Sequence, residues 1–341
     1  MSWWSRLRRR SPAAVTAEVQ VPGRAVATAI RSVPVPDGVV NVGIGFEGEL
    51  VVSTTTAEPE TSFAGRDIAA SGASFPHSTT PEVYTIEVAQ LFPDGGERRS
   101  IIQRVPVAHP HVQPMPDGGF LVVGSRAAVA DGVAEHNAVI TDAAGHIVHS
   151  FCIGDGVSRV QVTPSGRIWV GYFDEGVFGN YGWGEPGGPA PLGGAGLVCW
   201  SAAGRQLYEF RHPPGIGAIH DCYAMSAAGE TVWTCYYSSF PVCRVGGNLE
   251  VAGWTNATTG ASQIAAHDGR VVLIGGYQGA GRRLTVGHLG ASSIERVAEL
   301  HLSLPGDREV PKGSVVIARG RYVHVLAGDT WHRLDLADLP S

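Results

Sequence analysis

Six times along the chain a short apolar strand runs into a turn ending in glycine and returns as a second, more strongly apolar strand. The copies read NVGIGFEGELVVS, HVQPMPDGGFLVVG, RVQVTPSGRIWVGY, CYAMSAAGETVWTCY, QIAAHDGRVVLIGGY and SVVIARGRYVHVLA. A further pair of strands follows each, as in NAVITDAAGHIVHSF and GLVCWSAAGRQLYEF. Such a unit cannot bury both faces of its sheet alone. Four short strands recurring at about 45–60 residues therefore predict blades stacked around an axis, an all-β, six-bladed β-propeller. Helical periodicity is nearly absent, and residues 21–341 read as one domain. The segment Val26–Pro36 reads as a single strand, while the last blade, near Tyr322–Leu336, is one strand short. Lending that strand to the last blade would close the ring and remove a sheet edge.

The stretch VSRVQVTPSGRIWVGYFDEG resembles the GVAVDPDGRLYVAD unit of six-bladed propellers of the NHL-repeat and gluconolactonase/strictosidine-synthase-like type. The likeness spans most of residues 37–335 and rests on strand–turn–strand geometry. The segment GYFDEGVFGNYGWG is similar to one in uncharacterised bacterial propellers. The resemblance implies the fold and leaves function open. Gluconolactonase-like enzymes hold calcium or zinc with acidic and amide ligands, and here only Asp221 and Asn41 come close to such a set.

Composition narrows the function classes. A net charge of −6 argues against a nucleic-acid-binding surface, which needs a basic field. No apolar run is long enough to span a membrane. Residues 1–20 read as a basic tail, with Arg6, Arg8, Arg9 and Arg10 behind Trp3 and Trp4. It is either a solvated tail or a weak contact with an anionic membrane surface. No secretory signal follows it, so the cytoplasm is the expected compartment. The 5 cysteines include no CxxC pair, which argues against a disulfide framework or a zinc ribbon.

Registering the copies on Gly48, Gly118, Gly166, Gly229, Gly269 and Gly320 predicts what lines the channel. One parity is apolar: Val42, Val112, Val160, Tyr223, Ile264 and Val315. The other is Asn41, His111, Arg159, Cys222, Gln263 and Ser314, polar but for the cysteine. One layer towards the mouth lie Val39, His109, Val157, His220, Ala261 and Lys312. Lys312 is the only lysine among 25 basic residues. A desolvated lysine can act as base or Schiff-base amine where arginine cannot. The plain alternative is an exposed lysine left by drift. Arg159 reads as a carboxylate or phosphate clamp or as half of a structural ion pair with a loop carboxylate, Asp221 being the nearest acid in sequence. His109, His111 and His220 are expected to act as hydrogen-bonded or acid–base groups, and together they can hold a divalent metal such as zinc or calcium. No cofactor is the plainer expectation. His220 and Cys222 share a face, as a nucleophilic pair would, although a buried inert thiol explains Cys222 more simply.

Long connections between second and third strands are expected at 54–82, 126–136 and 173–195, over the channel mouth. The third combines many glycines with Phe178, Tyr181 and Trp183, which suits a lid closing on a planar or apolar ligand, or else a rigid connector. Two functions follow. One is an enzyme of lyase, cyclase or hydrolase type that binds a small organic molecule at the axis by acid–base chemistry. The other is a non-catalytic scaffold for a protein or peptide. No nucleotide-binding fingerprint is present. An enzyme concentrates polarity inside the channel, whereas a scaffold displays aromatic residues and arginine on its rim.

Overall fold

The computed structural model describes residues 23–34, 37–277 and 281–340. The basic N-terminal tail lies outside them. Six antiparallel blades step outward from a common axis. Blade 1 comprises Val39–Ile44, Leu50–Thr54, Thr79–Leu91 and Glu97–Val107, and blade 2 comprises Pro110–Pro114, Phe120–Gly124, Ala138–Thr141 and Ile147–Phe151. Blade 3 is Val157–Val162, Ile168–Tyr172, Leu197–Trp200 and Gln206–Glu209; blade 4 is Asp221–Ala228, Thr231–Tyr237, Val242–Val245 and Val251–Trp254. Blade 5 is Ala261–His267, Arg270–Gly275, Arg283–Leu289 and Ile294–Leu304, and blade 6 is Val315–Arg319, Tyr322–Ala327, Thr330–Asp335 and, outermost, Thr28–Ser32. Among the described residues, helix is confined to α1 (Asp174–Phe178) and one 3-10 turn, and no helix is long and apolar enough to cross a membrane.

The glycine turns behave as their spacing predicts. In blades 1–3 the first hairpin closes identically: in blade 3, Thr163 N–H donates to Arg167 O and Gly166 N–H to Thr163 O, each at 2.9 Å. Gly166 takes a φ of +81°, which a side chain would resist. Second strands are apolar on both faces because each face meets a neighbouring blade. Phe120–Gly124 and Ile168–Tyr172 are buried at every residue. Trp169, Tyr172, Tyr236 and Trp331 fill the wedges between blades.

Thr28–Ser32 completes blade 6 by pairing with Thr330–Asp335, as expected. The expected single strand is in fact two. Gly23–Val26 first pairs, parallel, with the outer edge of blade 5, and Ala27 N–H donates to Ser303 O at 2.9 Å before the chain crosses to blade 6. Buried Ala25 and Ala27 fill that crossing. Arg31 then reaches the carbonyls of Gly95 and Gly96 in blade 1, at 3.2 and 3.0 Å. One segment thus fastens three blades.

The connections between second and third strands are of unequal length. The long connections span 55–78, 125–137 and 173–196, carrying respectively a small hairpin, a second small hairpin and α1. Blades 4 and 6 turn within 238–241 and 328–329.

Candidate functional site

The innermost strands are half-exposed over their entry halves and buried towards their exit ends. Val39–Val42, Ser158, Arg159, Asp221, Tyr223 and Val315–Ile317 retain solvent contact, while Gly43, Gln113, Gln161 and Arg319 are enclosed. The channel is therefore roomier over its entry half, while at the exit end a pocket lined by Phe46, Arg319, Gly320 and Tyr322 opens beside the turns. Two arginines tie its wall together by donating to main-chain carbonyls. Arg319, from blade 6, donates to Ile44 O of blade 1 (2.7 Å), to Gln113 Oε1 of blade 2 (3.1 Å) and to Val162 O of blade 3. Arg159, from blade 3, donates to Ser158 O (3.1 Å), to Tyr223 O of blade 4 (3.0 Å) and to Ser262 O of blade 5 (3.3 Å). Between them they reach all six blades. The deeper arginine was not singled out in the sequence, because it abuts a turn glycine outside the two registered layers.

The predicted ring is present in part, and the departures share a cause. Near the entry end the innermost strands of blades 1, 3, 4 and 5 each carry a β-bulge, at Val39/Asn41, Val157/Arg159, Asp221/Ala224 and Ala261/Gln263. An extra residue reverses the alternation above it. Val157 and Ala261, expected at the mouth, are buried, and Ser158 and Ser262 take solvent instead. Cys222 turns away from the axis: its Sγ packs where a Cβ at Gly171 would come within 2.5 Å, and Thr234 Oγ1 lies 3.5 Å away. Burial pushes that thiol up to about 11, so a thiolate nucleophile paired with His220 has no support here. Asn41 and Gln263 accept from Val112 N–H (3.2 Å) and Ala318 N–H (3.0 Å) of the next blade, serving ring closure. The Ser314 hydroxyl is buried without a partner. Lys312 is exposed on the turn before blade 6, not enclosed with Arg159.

The histidines part company. Nε2 of His109 meets Gly65 O at 3.1 Å, Nε2 of His111 meets Ser125 Oγ at 3.1 Å, and the His220 ring packs edge-on against Phe178. Among the described residues no three His, Cys, Asp or Glu side chains converge as a metal requires, so these imidazoles do not form a ligand set. Burial, helped by the Arg159 charge, pushes His111 down to about 4. Asp221 moves the other way, up to about 6: burial and the nearby Asp174 carboxylate outweigh the attraction of Arg159. No carboxylate among the described residues lies within ion-pair distance of Arg159, and its Nε is buried without an acceptor. The expected structural ion pair is therefore absent.

The canopy is fastened in place. Arg126 lies buried between the Asp155 and Glu175 carboxylates, at 2.8 and 2.6 Å, with its guanidinium 4.2 Å above the Tyr181 ring and 5.2 Å from that of Phe173. Tyr181 donates its hydroxyl to Pro76 O at 2.6 Å, and buried Trp183 donates Nε1–H to Ala127 O at 2.8 Å. Tyr181 and Trp183 thus bind the three insertions to one another, and of the expected lid aromatics only Phe178 is exposed. The glycines permit close packing: a Cβ at Gly156 would lie 2.3 Å from Gly176 N, and one at Gly193 would lie 2.5 Å from the Tyr172 ring. That is a rigid connector.

Across the well stands an aromatic group that the registered repeat hid. The rings of Tyr223, Tyr237, Phe240 and Tyr277 pack with centroids 5.2–6.5 Å apart, and the Tyr223 and Tyr277 hydroxyls are 3.4 Å apart. Tyr223 falls on the packing parity of the repeat, and Tyr277 ends a repeat copy, in GGY.

No protein-family model matches this chain, and no curated protein matches it in sequence. Among solved structures, a streptogramin B lyase aligns over 94% of this chain and 95% of its own at 10% identity and a TM-score of 0.43. BamB from Moraxella catarrhalis aligns over 90% and 82% at 13% identity and a TM-score of 0.42. A catalytically inactive virginiamycin B lyase from Staphylococcus aureus with quinupristin aligns over 89% and 98% at 9% identity and a TM-score of 0.40. These are likenesses to β-propeller proteins and carry no argument about chemistry. The fold stands on the strand pairing.

Proposed function

We propose that this propeller binds a small organic anion in the entry-face well and transforms it by acid–base chemistry of lyase, cyclase or hydrolase type. The observation that carries the reading is Arg159: a partly exposed cation on the axial wall, with no carboxylate of the described residues within ion-pair distance and only the Asp221 charge nearby. A guanidinium so placed favours a carboxylate or phosphate oxygen, because a charge-assisted hydrogen bond replaces lost hydration. Asp221 supports the acid–base part. Its carboxyl, raised to about 6, is divided between acid and base near neutral pH, the condition a proton-transfer group needs. His111, held neutral, adds no second positive charge beside Arg159.

The scaffold reading has one observation in its favour, the exposure of Phe178, Tyr237 and Tyr277 around the same mouth. Tyr237 and Tyr277 pack on Tyr223, however, whose carbonyl holds Arg159, so they belong to the same two blades as the arginine's partners. The test is ligand-observed NMR with small carboxylates and their neutral amides. Carboxylates should bind and amides should not, with binding weakened about 100-fold in Arg159→Gln, as for loss of a charge-assisted contact. Equal binding of the amides, or no effect of Arg159→Gln, would remove the proposal.

A further inference from the structure

The aromatic group on blades 4 and 5 and the arginine of the well share a residue. Tyr223 holds the Arg159 guanidinium with its carbonyl, at 3.0 Å, and carries the first ring of the group on its side chain. Its ring lies nearly parallel to that of Tyr237, at 6.4 Å and 23°, and edge-on to that of Tyr277, at 6.5 Å and 83°. Phe240 is buried behind all three and fixes their spacing. Tyr237 and Tyr277 keep 45% and 44% of their surface, which a monomeric protein has no packing reason to arrange at the mouth of a polar well.

Glycines set Tyr277 there. A Cβ at Gly260 would stand 2.9 Å from Tyr277 N and 3.1 Å from its ring, and one at Gly275, whose φ is +98°, would stand 2.9 Å from Ser262 Oγ. Backbone without side chains lets this ring approach the strand whose Ser262 carbonyl also holds Arg159. The Tyr223–Tyr277 hydroxyl pair adds a polar notch to an otherwise flat apolar wall.

From this arrangement we infer that the ligand is a planar aromatic carboxylate, its acid group on Arg159 and its ring against the tyrosines, with a ring hydroxyl or carbonyl facing the Tyr223 and Tyr277 hydroxyls. This rests on the anion reading of the well and narrows it. Flat rings gain from offset or edge-to-face contact with tyrosine beyond what area alone gives, whereas a saturated ring of equal size gains only the area.

The experiment compares four probes on the full chain by ligand-observed NMR: benzoate, 4-hydroxybenzoate, cyclohexanecarboxylate and benzamide. Variants are Arg159→Gln and Tyr237→Leu/Tyr277→Leu, the latter two positions being exposed enough to leave folding intact. Benzoate should bind about 5- to 10-fold more tightly than cyclohexanecarboxylate, and 4-hydroxybenzoate more tightly still. The tyrosine variant should abolish that preference while cyclohexanecarboxylate binding stays within twofold. If the carboxylates bind through Arg159 but aromatic and saturated rings are indistinguishable, the aromatic inference is wrong and the anion reading stands. If benzamide binds as well as benzoate and only the tyrosine variant weakens them, the anion reading fails and the aromatic wall alone survives. Absence of binding by every probe at millimolar concentration overturns both.

Discussion

The two axial arginines do the same thing to the backbone and live in different solvents. Arg319 and Arg159 each reach across the axis to carbonyls of other blades, and each has a histidine beside it whose protonation its charge opposes, His324 for Arg319 and His111 for Arg159. Arg319 is enclosed, although a pocket opens beside it at the exit-end turns. Its side chain is 6% exposed, burial lowers its pKa to about 10, and the nearest compensating charge is buried Glu49, itself raised by burial. Arg159 is partly exposed, although burial lowers its pKa as well, and its nearest opposing charge is Asp221. An arginine that only ties blades together is best enclosed, where unmatched carbonyls are costly and water cannot replace it. One that ties blades from a partly exposed position keeps a positive charge that a ligand anion can meet.

The sharpest way to break this comparison is Arg319→Met. It leaves two carbonyls and the Gln113 amide oxygen without donors and Glu49 buried without a cation, so unfolding free energy should fall by about 3–5 kcal/mol in denaturant titrations. A loss below about 1 kcal/mol would mean that the enclosed arginine is no more than packing.

The histidines give the next largest effect. His111 is held near 4 when folded and near 6.5 when unfolded. Between those values the unfolded chain takes up a proton that the folded chain refuses. The stability His111 contributes is thus fully present above 6.5 and lost as pH falls towards 4. His111→Gln removes this slope while the opposing contributions of Asp155 and Asp221, both raised to about 6, stay in place. The wild-type protein should therefore lose about 2 kcal/mol more than the variant between pH 7 and pH 4.5, allowing for partial solvent access at the entry end. Parallel pH curves would show that water reaches this imidazole freely.

Arg159→Met should cost only about 1 kcal/mol, because water can enter the well and satisfy Tyr223 O and Ser262 O. Stability loss matching that of Arg319→Met would erase the difference between the two ends. Last comes Lys312→Arg. With its side chain exposed beside the entry end, the exchange should change unfolding free energy by less than about 0.5 kcal/mol and leave probe binding unchanged. A 10-fold loss of binding would bring the lysine back into the site.

Much of the architecture was legible because it is written locally. Turn glycines at Gly48, Gly118 and Gly166 and apolar second strands such as FLVVG and IWVGY recur in every copy, and the strand missing from blade 6 pointed to its donor near Thr28–Ser32. The site was legible to the depth at which strict alternation holds. Arg159 and Asn41 lie on partly exposed stretches of their innermost strands. Cys222, Val157 and Ala261 are buried instead, since a bulge depends on how an innermost strand meets its partner and leaves no residue-type signature. Tyr181 and Trp183 had the composition of a lid, and only the fold shows their polar atoms spent on Pro76 and Ala127 in other blades.

What the sequence by itself determined is the repeat: four strands per unit, six units, long connections on the first three. These follow from side-chain periodicity and from the φ values glycine permits, both properties of neighbours along the chain. Tertiary structure alone decided which arginine is enclosed and which is left facing solvent. The carbonyls held by Arg319 lie 275 and 157 residues away, and one of those held by Arg159 lies 103 away. At such separations the chain carries no local record of the meeting. Whether a guanidinium ends enclosed or partly exposed depends on how six bulged and unbulged strands converge at one axis.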